Sequence, residues 1–146
     1  MKTRSEGFGE EVKRRIILGT FVLSSGYYED YYGKALSFRN TLARFFEDLF
    51  KKYRFIVLPT TPGIAFKLGE KQDPISMYLE DLFTVPANMA GLPAISLPFK
   101  LSPEGLPIGM QIMAPWFDEK GLLSLAKRCE DEIEFNRKYK IKEEKL

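Results

Sequence analysis

The chain has 146 residues, of which 45% are hydrophobic and 14% aromatic, so its length and composition fit one globular domain and exclude a disordered or fibrous chain. The 22 Lys and Arg residues and 20 Asp and Glu residues leave a net charge of +2, which argues against a nonspecific nucleic-acid surface. Histidine is absent and Cys129 is the single cysteine. The chain therefore cannot build a Ser-His-Asp or Cys-His triad, an internal disulfide or a structural zinc site of its own.

The sequence shows no sign of membrane attachment or secretion. No apolar run approaches the ~20 residues that cross a bilayer, and the first residues lack the apolar segment of a signal peptide. We therefore expect a cytoplasmic protein. Cys129 lies in a charged stretch of a predicted helix, where a small half-buried residue is a better interpretation than a reactive thiol.

The first third of the chain predicts two helices. Glu10 and Glu11 open a segment of near-helical apolar spacing, which predicts a helix over residues 9–24 that is closed by Gly26. Apolar residues at steps of three and four then predict one long helix over residues 27–53. At ~1.5 Å per residue this helix would approach ~40 Å, which is long for a domain of this size.

Three strands are predicted in the rest of the chain. The apolar run 55–58 is stopped by Pro59, which predicts a short buried strand. Residues 94–99 and 108–114 predict two further strands, and the turn-rich stretch between them favours a hairpin.

Shorter helices separate and follow these strands. Residues 76–84 predict one helix, Pro86 to Gly91 a second, and the stretch from about Asp118 a third. The order of elements predicts an α/β fold with a mixed β-sheet flanked by helices, and we interpret residues 1–146 as a single domain. A long helix beside a small sheet predicts apolar surface that is meant for a partner or for a missing part of the same fold.

Several segments in succession resemble the amidase signature family. They read RSEGFGEEVKRRIILGT, GYYEDYY, PTTP, MYLED, FTVPANMAGLPAIS and GLPIGMQ. The resemblance covers residues 3–133 and is strongest to the C-terminal third of one branch of the family, the glutamine-hydrolysing A subunits of the tRNA-dependent amidotransferases for Glu-tRNA(Gln) and Asp-tRNA(Asn). It implies that the chain is the C-terminal part of the amidase signature fold.

The resemblance implies a glutaminase that works within a larger complex during translation. The ammonia released from glutamine passes to another subunit, where ATP and Mg²⁺ are expected and where Glu-tRNA(Gln) becomes Gln-tRNA(Gln); contact of this chain with tRNA would be only indirect. The family's Ser–Ser–Lys triad lies in a Gly/Ser-rich N-terminal region that nothing in this sequence matches. We therefore expect a partial amidase domain that by itself is inactive, with no catalytic residue, metal or cofactor of its own.

By the same resemblance, the chain contributes recognition of glutamine. Arg15 resembles the arginine that binds the α-carboxylate, where a guanidinium offers a bidentate fork that lysine lacks. Asp81 resembles the acidic residue that binds the α-amino group. The register is open by one residue, so Arg14 is the alternative to Arg15.

Other polar and aromatic residues have a structural interpretation. The four tyrosines Tyr27, Tyr28, Tyr31 and Tyr32 are expected to pack in the core rather than to line a pocket. Asn88 is expected to satisfy backbone groups near a turn.

Two interpretations of function stay open at this point. The chain is either a truncated or split part of the A-type subunit, or a stand-alone noncatalytic module that binds a ligand or a partner protein. A remnant amidase for uncharged amides is disfavoured, because such a substrate would leave Arg15 and Asp81 without partners. The incomplete sheet also predicts exposed apolar surface and a possible homo-oligomer.

Overall fold

The computed structural model describes residues 6–24, 26–70 and 73–135. A boundary between Thr41 and Leu42 divides the chain into two compact units. The interpretation of residues 1–146 as a single domain stays a prediction.

Helices make up the first unit. Helix α1 spans Glu10–Val22 and has Glu10 and Glu11 in its first turn, where negative charge suits the helix dipole. A π-helix at Tyr28–Gly33 leads into α2, Lys34–Phe50, which continues into the second unit. The helix predicted over residues 9–24 is therefore confirmed.

The prediction of one long helix over residues 27–53 is confirmed only for the residues of α2. Its first turns are wound wider, as a π-helix, and it ends at Phe50. The apolar and aromatic spacing could not reveal this difference, because side chains four residues apart are neighbours in either type of turn.

A three-stranded sheet forms the centre of the second unit. Its strands are β1 (Ile56–Pro59), β2 (Ala94–Leu101) and β3 (Pro107–Met113), in the order β1-β3-β2. The expected α/β class is confirmed, but both strand pairs are antiparallel where a mixed sheet was expected. Each outer strand runs opposite to β3, so within the described residues the sheet contains no parallel pair.

Three helices complete the second unit. Helix α3 spans Pro74–Leu79, so it begins two residues and ends five residues earlier than the helix predicted over 76–84. Helix α4 spans Val85–Ala90 and ends at Gly91, whose positive φ of 73° is the left-handed conformation that glycine adopts freely. Helix α5 spans Glu119–Ile133 and is capped by Asp118, which accepts a hydrogen bond from the Gly121 backbone N–H. The predictions for α4 and α5 are confirmed.

The two faces of the sheet support two separate hydrophobic clusters. Ile112 and Met113 are consecutive on β3, so they point to opposite faces, and each is almost fully buried. Met113 packs with residues of α2, α4 and the following turn, namely Phe46, Ala87, Ala90 and Leu92. Ile112 packs with Leu97 of β2, with Ala114 directly after β3, and with Leu122 and Ala126 of α5.

The first strand is less buried than the sequence predicted. Val57 is 52% exposed and Pro59 is exposed as well, so the prediction of a buried strand is wrong for one face. The reason is that α5 packs against β2 and β3. Val57 and Pro59 instead line an apolar groove of about 320 Å³ with Phe99 and Met110.

Candidate functional site

The two candidate arginines lie next to each other on α1 and share one carboxylate. Arg15 donates from Nε to Glu11 Oε1 at 2.9 Å, and Arg14 approaches Glu11 Oε2 at 3.3 Å. The side chains of Arg15 and Arg14 are 65% and 52% exposed. A carboxylate ligand arriving at either guanidinium would therefore meet a partly neutralised cation and would have to compete with Glu11.

The surface around α1 distinguishes the two arginines. An open groove of about 650 Å³ runs along the helix and is lined by Arg14, Ile17 and Phe21, among others. Among the described residues, Arg14 rather than Arg15 belongs to that lining. The position of Arg14 in this groove therefore supports Arg14 as the alternative to Arg15.

Asp81 belongs to the second unit, in the turn between α3 and α4. Its backbone carbonyl accepts hydrogen bonds from the N–H groups of Thr84 and Val85, at 3.1 and 2.9 Å, and from the Thr84 hydroxyl at 3.3 Å. The residue itself is exposed. Its backbone is thus held by the start of α4 while its carboxylate remains accessible, as a binding group requires.

Gln111 joins this turn to the sheet, a role that was not predicted from the sequence. It lies on β3, the central strand, and is only 5% exposed. Its side-chain Nε2 donates to the carbonyl oxygen of Phe83 at 2.8 Å, two residues beyond Asp81. A signal was present in the sequence, since a polar residue in the apolar run Met110 to Met113 needs a hydrogen-bond partner if it is buried.

A pair of hydroxyl groups lies on the face of the sheet that carries the Gln111 side chain. Thr60 Oγ1 and Ser96 Oγ are 2.6 Å apart, and both lie close above Gly109 on β3. A Cβ at Gly109 would stand 2.6 Å from Thr60 Oγ1 and 3.1 Å from Ser96 Oγ, so the glycine makes room for the pair. Because Gly109 and Gln111 are two residues apart on β3, one polar track crosses this face.

The remaining candidates take structural or surface positions. Tyr27, Tyr28, Tyr31 and Tyr32 are 40–54% exposed, so the prediction that they pack in the core is wrong. They contact one another instead, with ring centroids 6.1 Å apart for Tyr27 and Tyr31 and 5.0 Å apart for Tyr28 and Tyr32. A spacing of four residues indicates a shared helix face, but it does not say what covers that face.

Asn88 and Cys129 lie as predicted. The Asn88 amide donates to the Thr84 carbonyl at 2.9 Å and so supports the start of α4. Cys129 is half-buried against the cluster beneath α5.

Metal clusters and membrane-spanning helices are both absent from the described part of the chain. There, no group of three or more Cys, Asp or Glu side chains is arranged to hold a metal ion. Within the same residues, no helix combines the length and the apolar character needed to cross a membrane.

The chain is similar to known proteins along most of its length. The family model described as Amidase matches residues 1–123. The A subunit of glutamyl-tRNA(Gln) amidotransferase from Pelagibacter ubique is 54% identical over 138 residues, which are 94% of this chain and 28% of that protein. The protein of the same name from Thermodesulfovibrio yellowstonii is 59% identical over 127 residues, 86% of this chain and 26% of its own length. The chain thus spans little more than a quarter of the curated relatives it matches.

A solved structure agrees with these sequence matches. The crystal structure of the glutamyl-tRNA(Gln) amidotransferase A subunit from Thermotoga maritima superposes with a TM-score of 0.58 at 50% identity. The match covers 77% of this chain and 25% of that one. The match to this solved structure confirms the expected fold class.

Proposed function

From the premise that the chain belongs to the amidase family, we propose that it is the substrate-recognising part of a glutamine-hydrolysing A-type subunit of a tRNA-dependent amidotransferase. The observation that carries the proposal is the similarity, along nearly the whole chain, to proteins named as the A subunit of glutamyl-tRNA(Gln) amidotransferase. The complete enzyme acts in the cytoplasm during translation.

In this proposal the chain binds glutamine and leaves the chemistry to other parts of the complex. The nucleophile belongs to the Ser–Ser–Lys triad that the family resemblance implies, outside the residues of this chain. The released ammonia serves another subunit, at which ATP and Mg²⁺ act and which brings the misacylated tRNA. This chain alone is therefore inactive.

Arg15 and Asp81 are the proposed glutamine ligands. Free glutamine carries an α-carboxylate and an α-ammonium group, so a selective site needs a cation and an anion. Arg15 offers an exposed guanidinium on α1, and Asp81 offers an exposed carboxylate whose backbone is fixed by the start of α4. Arg14 lies beside the same Glu11 and is the alternative carboxylate ligand.

A titration of the purified chain with L-glutamine, followed by two-dimensional amide NMR, tests the proposal. We expect shifts confined to α1 around Arg15 and to the turn around Asp81, and we expect Asp81→Ala to abolish them. Butyramide, which has an amide but no charges, serves as the matched ligand control and should cause no shifts. Equal shifts with both ligands, or none with glutamine, would contradict a preformed glutamine site in this chain.

Two matched variants decide which arginine binds the carboxylate. Lysine keeps the positive charge but cannot form the bidentate pair, so replacing the true ligand should weaken glutamine binding by about tenfold. We expect this loss from Arg15→Lys and a change of less than about twofold from Arg14→Lys. The opposite result would assign the role to Arg14.

A further inference from the structure

Resting on the glutamine site proposed above, we infer that Gln111 is a positioning residue for Asp81. Gln111 belongs to the central strand of the sheet, whereas Asp81 belongs to a turn outside it. The hydrogen bond from Gln111 Nε2 to Phe83 O, 2.8 Å long, joins the two. Its proposed task is to fix where the Asp81 carboxylate stands, and thereby to favour amides that carry an α-amino group.

The sheet end of this connection is rigid. Gln111 pairs with Leu58 on β1 and with Ser96 on β2, so hydrogen-bonded strands flank it on both sides. Its side chain is almost fully buried, and the neighbouring Ile112 and Met113 anchor the two hydrophobic clusters. A buried amide between paired strands has little freedom, so it defines a fixed point for the turn.

The turn end of the connection is short and leads directly to Asp81. The Phe83 carbonyl is held by Gln111, and the next two N–H groups, of Thr84 and Val85, return to the Asp81 carbonyl at 3.1 and 2.9 Å. The backbone from Asp81 to Val85 is thus closed on itself, and the bond from Gln111 ties it to the sheet. Loss of that bond would loosen the turn while the hydrophobic clusters stay in place.

Removing the donor of this hydrogen bond while its acceptor remains costs free energy, because the acceptor loses its partner. Without the Gln111 amide, the Phe83 carbonyl would either remain unpaired or turn toward water. Turning toward water rotates the peptide unit between Phe83 and Thr84, whose N–H donates to the Asp81 carbonyl. We therefore expect the turn, rather than the sheet, to respond to substitution.

Gln111→Met tests this role because it conserves volume and removes the donor. The matched control is Trp116→Phe, which removes another side-chain donor, Nε1 to the Ala90 carbonyl at 3.0 Å, at the far end of α4. Hydrogen exchange by NMR should become about tenfold faster at Thr84 and Val85 in Gln111→Met and change by less than about twofold in Trp116→Phe. Equal exchange rates at these amides in the two variants would overturn the inference.

Ligand selectivity distinguishes a role of Gln111 in positioning Asp81 from a general loss of structure in the variant. In Gln111→Met the dissociation constant for L-glutamine should rise about fivefold, whereas that for 4-carbamoylbutanoate, which lacks the α-amino group, should change by less than about twofold. An equal loss for both ligands would overturn the positioning role, because a merely structural defect would weaken both. If the unchanged chain binds neither ligand, the proposed function fails, and the exchange rates alone decide the role of Gln111.

A measurement on the unchanged chain covers the case in which Gln111→Met does not fold. The side-chain amide protons of Gln111 should exchange at least about tenfold more slowly than those of an exposed glutamine, because one of them is bonded to Phe83. Exchange at the rate of an exposed amide would overturn the inference without any substitution.

Discussion

Glu11 controls how available the two candidate arginines are. Its carboxylate lies 2.9 Å from Arg15 Nε and 3.3 Å from the Arg14 guanidinium. A glutamine carboxylate would have to displace it. We therefore predict that Glu11→Gln, which removes the competing charge, strengthens glutamine binding by about two- to threefold, the scale of an exposed ion pair.

Calorimetric titration of the chain and of this variant measures the effect. Glu10→Gln is the matched control, since Glu10 pairs with Lys13 at 3.4 Å rather than with either arginine. Unchanged or weaker binding in Glu11→Gln would argue against a ligand role for the arginines of α1.

A second residue-scale prediction concerns the acidic cap of α3. The backbone N–H of Ser76 is the main cause that holds the pKa of Asp73 below its ordinary value of 3.8, followed by the Ser76 hydroxyl and the Ile75 N–H. Because the pKa of Asp73 is lower in the folded chain than in the unfolded chain, the ionised cap stabilises α3 fully at a pH above the ordinary pKa. This stabilisation is lost as the pH falls through the pKa of the folded chain.

An NMR titration of the Asp73 carboxyl carbon checks this prediction. The midpoint should lie below 3.8, and the Ser76 amide shift should follow the same curve. Ser76→Ala keeps the N–H but removes the hydroxyl, so it should move the midpoint part of the way back toward 3.8. A midpoint at or above that value would show that the cap does not form.

The sequence allowed only part of the candidate site to be predicted. Charged residues such as Arg15 and Asp81 stand out because the family motifs surround them. The pairing of both arginines with Glu11 is within reach of sequence reasoning, because residues three and four apart on a helix are neighbours. The bond from Gln111 to Phe83 is not, because it joins residues 28 positions apart in the sequence. Such contacts leave no periodic signal, so the sequence could only indicate that a buried glutamine needs a partner.

At the scale of elements, the close contact above Gly109 gives a clear test. A Cβ there would collide with Thr60 Oγ1 at 2.6 Å, and threonine is too short to move away easily. We predict that Gly109→Ala lowers the free energy of unfolding by about 1–3 kcal/mol, the usual cost of overpacking. The double variant Gly109→Ala with Thr60→Ser, which removes one methyl group, should recover only part of the loss.

Urea denaturation of the two variants measures these free energies. Gly105→Ala is not a suitable control, since Gly105 has a positive φ of 83° and would be strained for a different reason. Gly63→Ala is suitable, because nothing lies within 4 Å of its added Cβ. Equal stability of Gly109→Ala and Gly63→Ala would contradict the close packing of this face.

Local signals predicted most helices and strands and the hairpin of β2 and β3, which is confirmed, but not where β1 joins the sheet. Pro86 and Gly91 bound α4 as predicted, since proline at a helix start and left-handed glycine at its end act within a few residues. The antiparallel direction of β1 depends on its distant partner β3, which pairs Ile56 with Met113. The apolar run of β1 could therefore indicate a strand but not which of its faces would be covered.

At the scale of the whole molecule, the exposed apolar surface is the dominant feature. None of the described residues in the first unit is buried. Even large apolar side chains such as Ile17 and Phe38 are 69% and 63% exposed. The second unit adds the apolar groove beside Val57. This confirms the expectation of exposed apolar surface. That a partner or another part of the same fold covers it stays a prediction.

We predict that the isolated chain associates with itself. Burying such surface is favourable at roughly 25 cal/mol per Å², so copies of the chain should cover each other when nothing else does. Size-exclusion chromatography with light scattering should give a mass above 16.8 kDa that falls on dilution. A compact monomer at every concentration would be evidence against this prediction.

Reconstitution of glutaminase activity tests the central claim most directly. The purified chain is mixed with the part of the Pelagibacter ubique relative that it does not match, and ammonia release from L-glutamine is measured. We predict no release by either polypeptide alone, release by the mixture, and no release by the mixture when the chain carries Asp81→Ala. Release by the chain alone, or a mixture that stays inactive although the two polypeptides bind each other, would contradict the account.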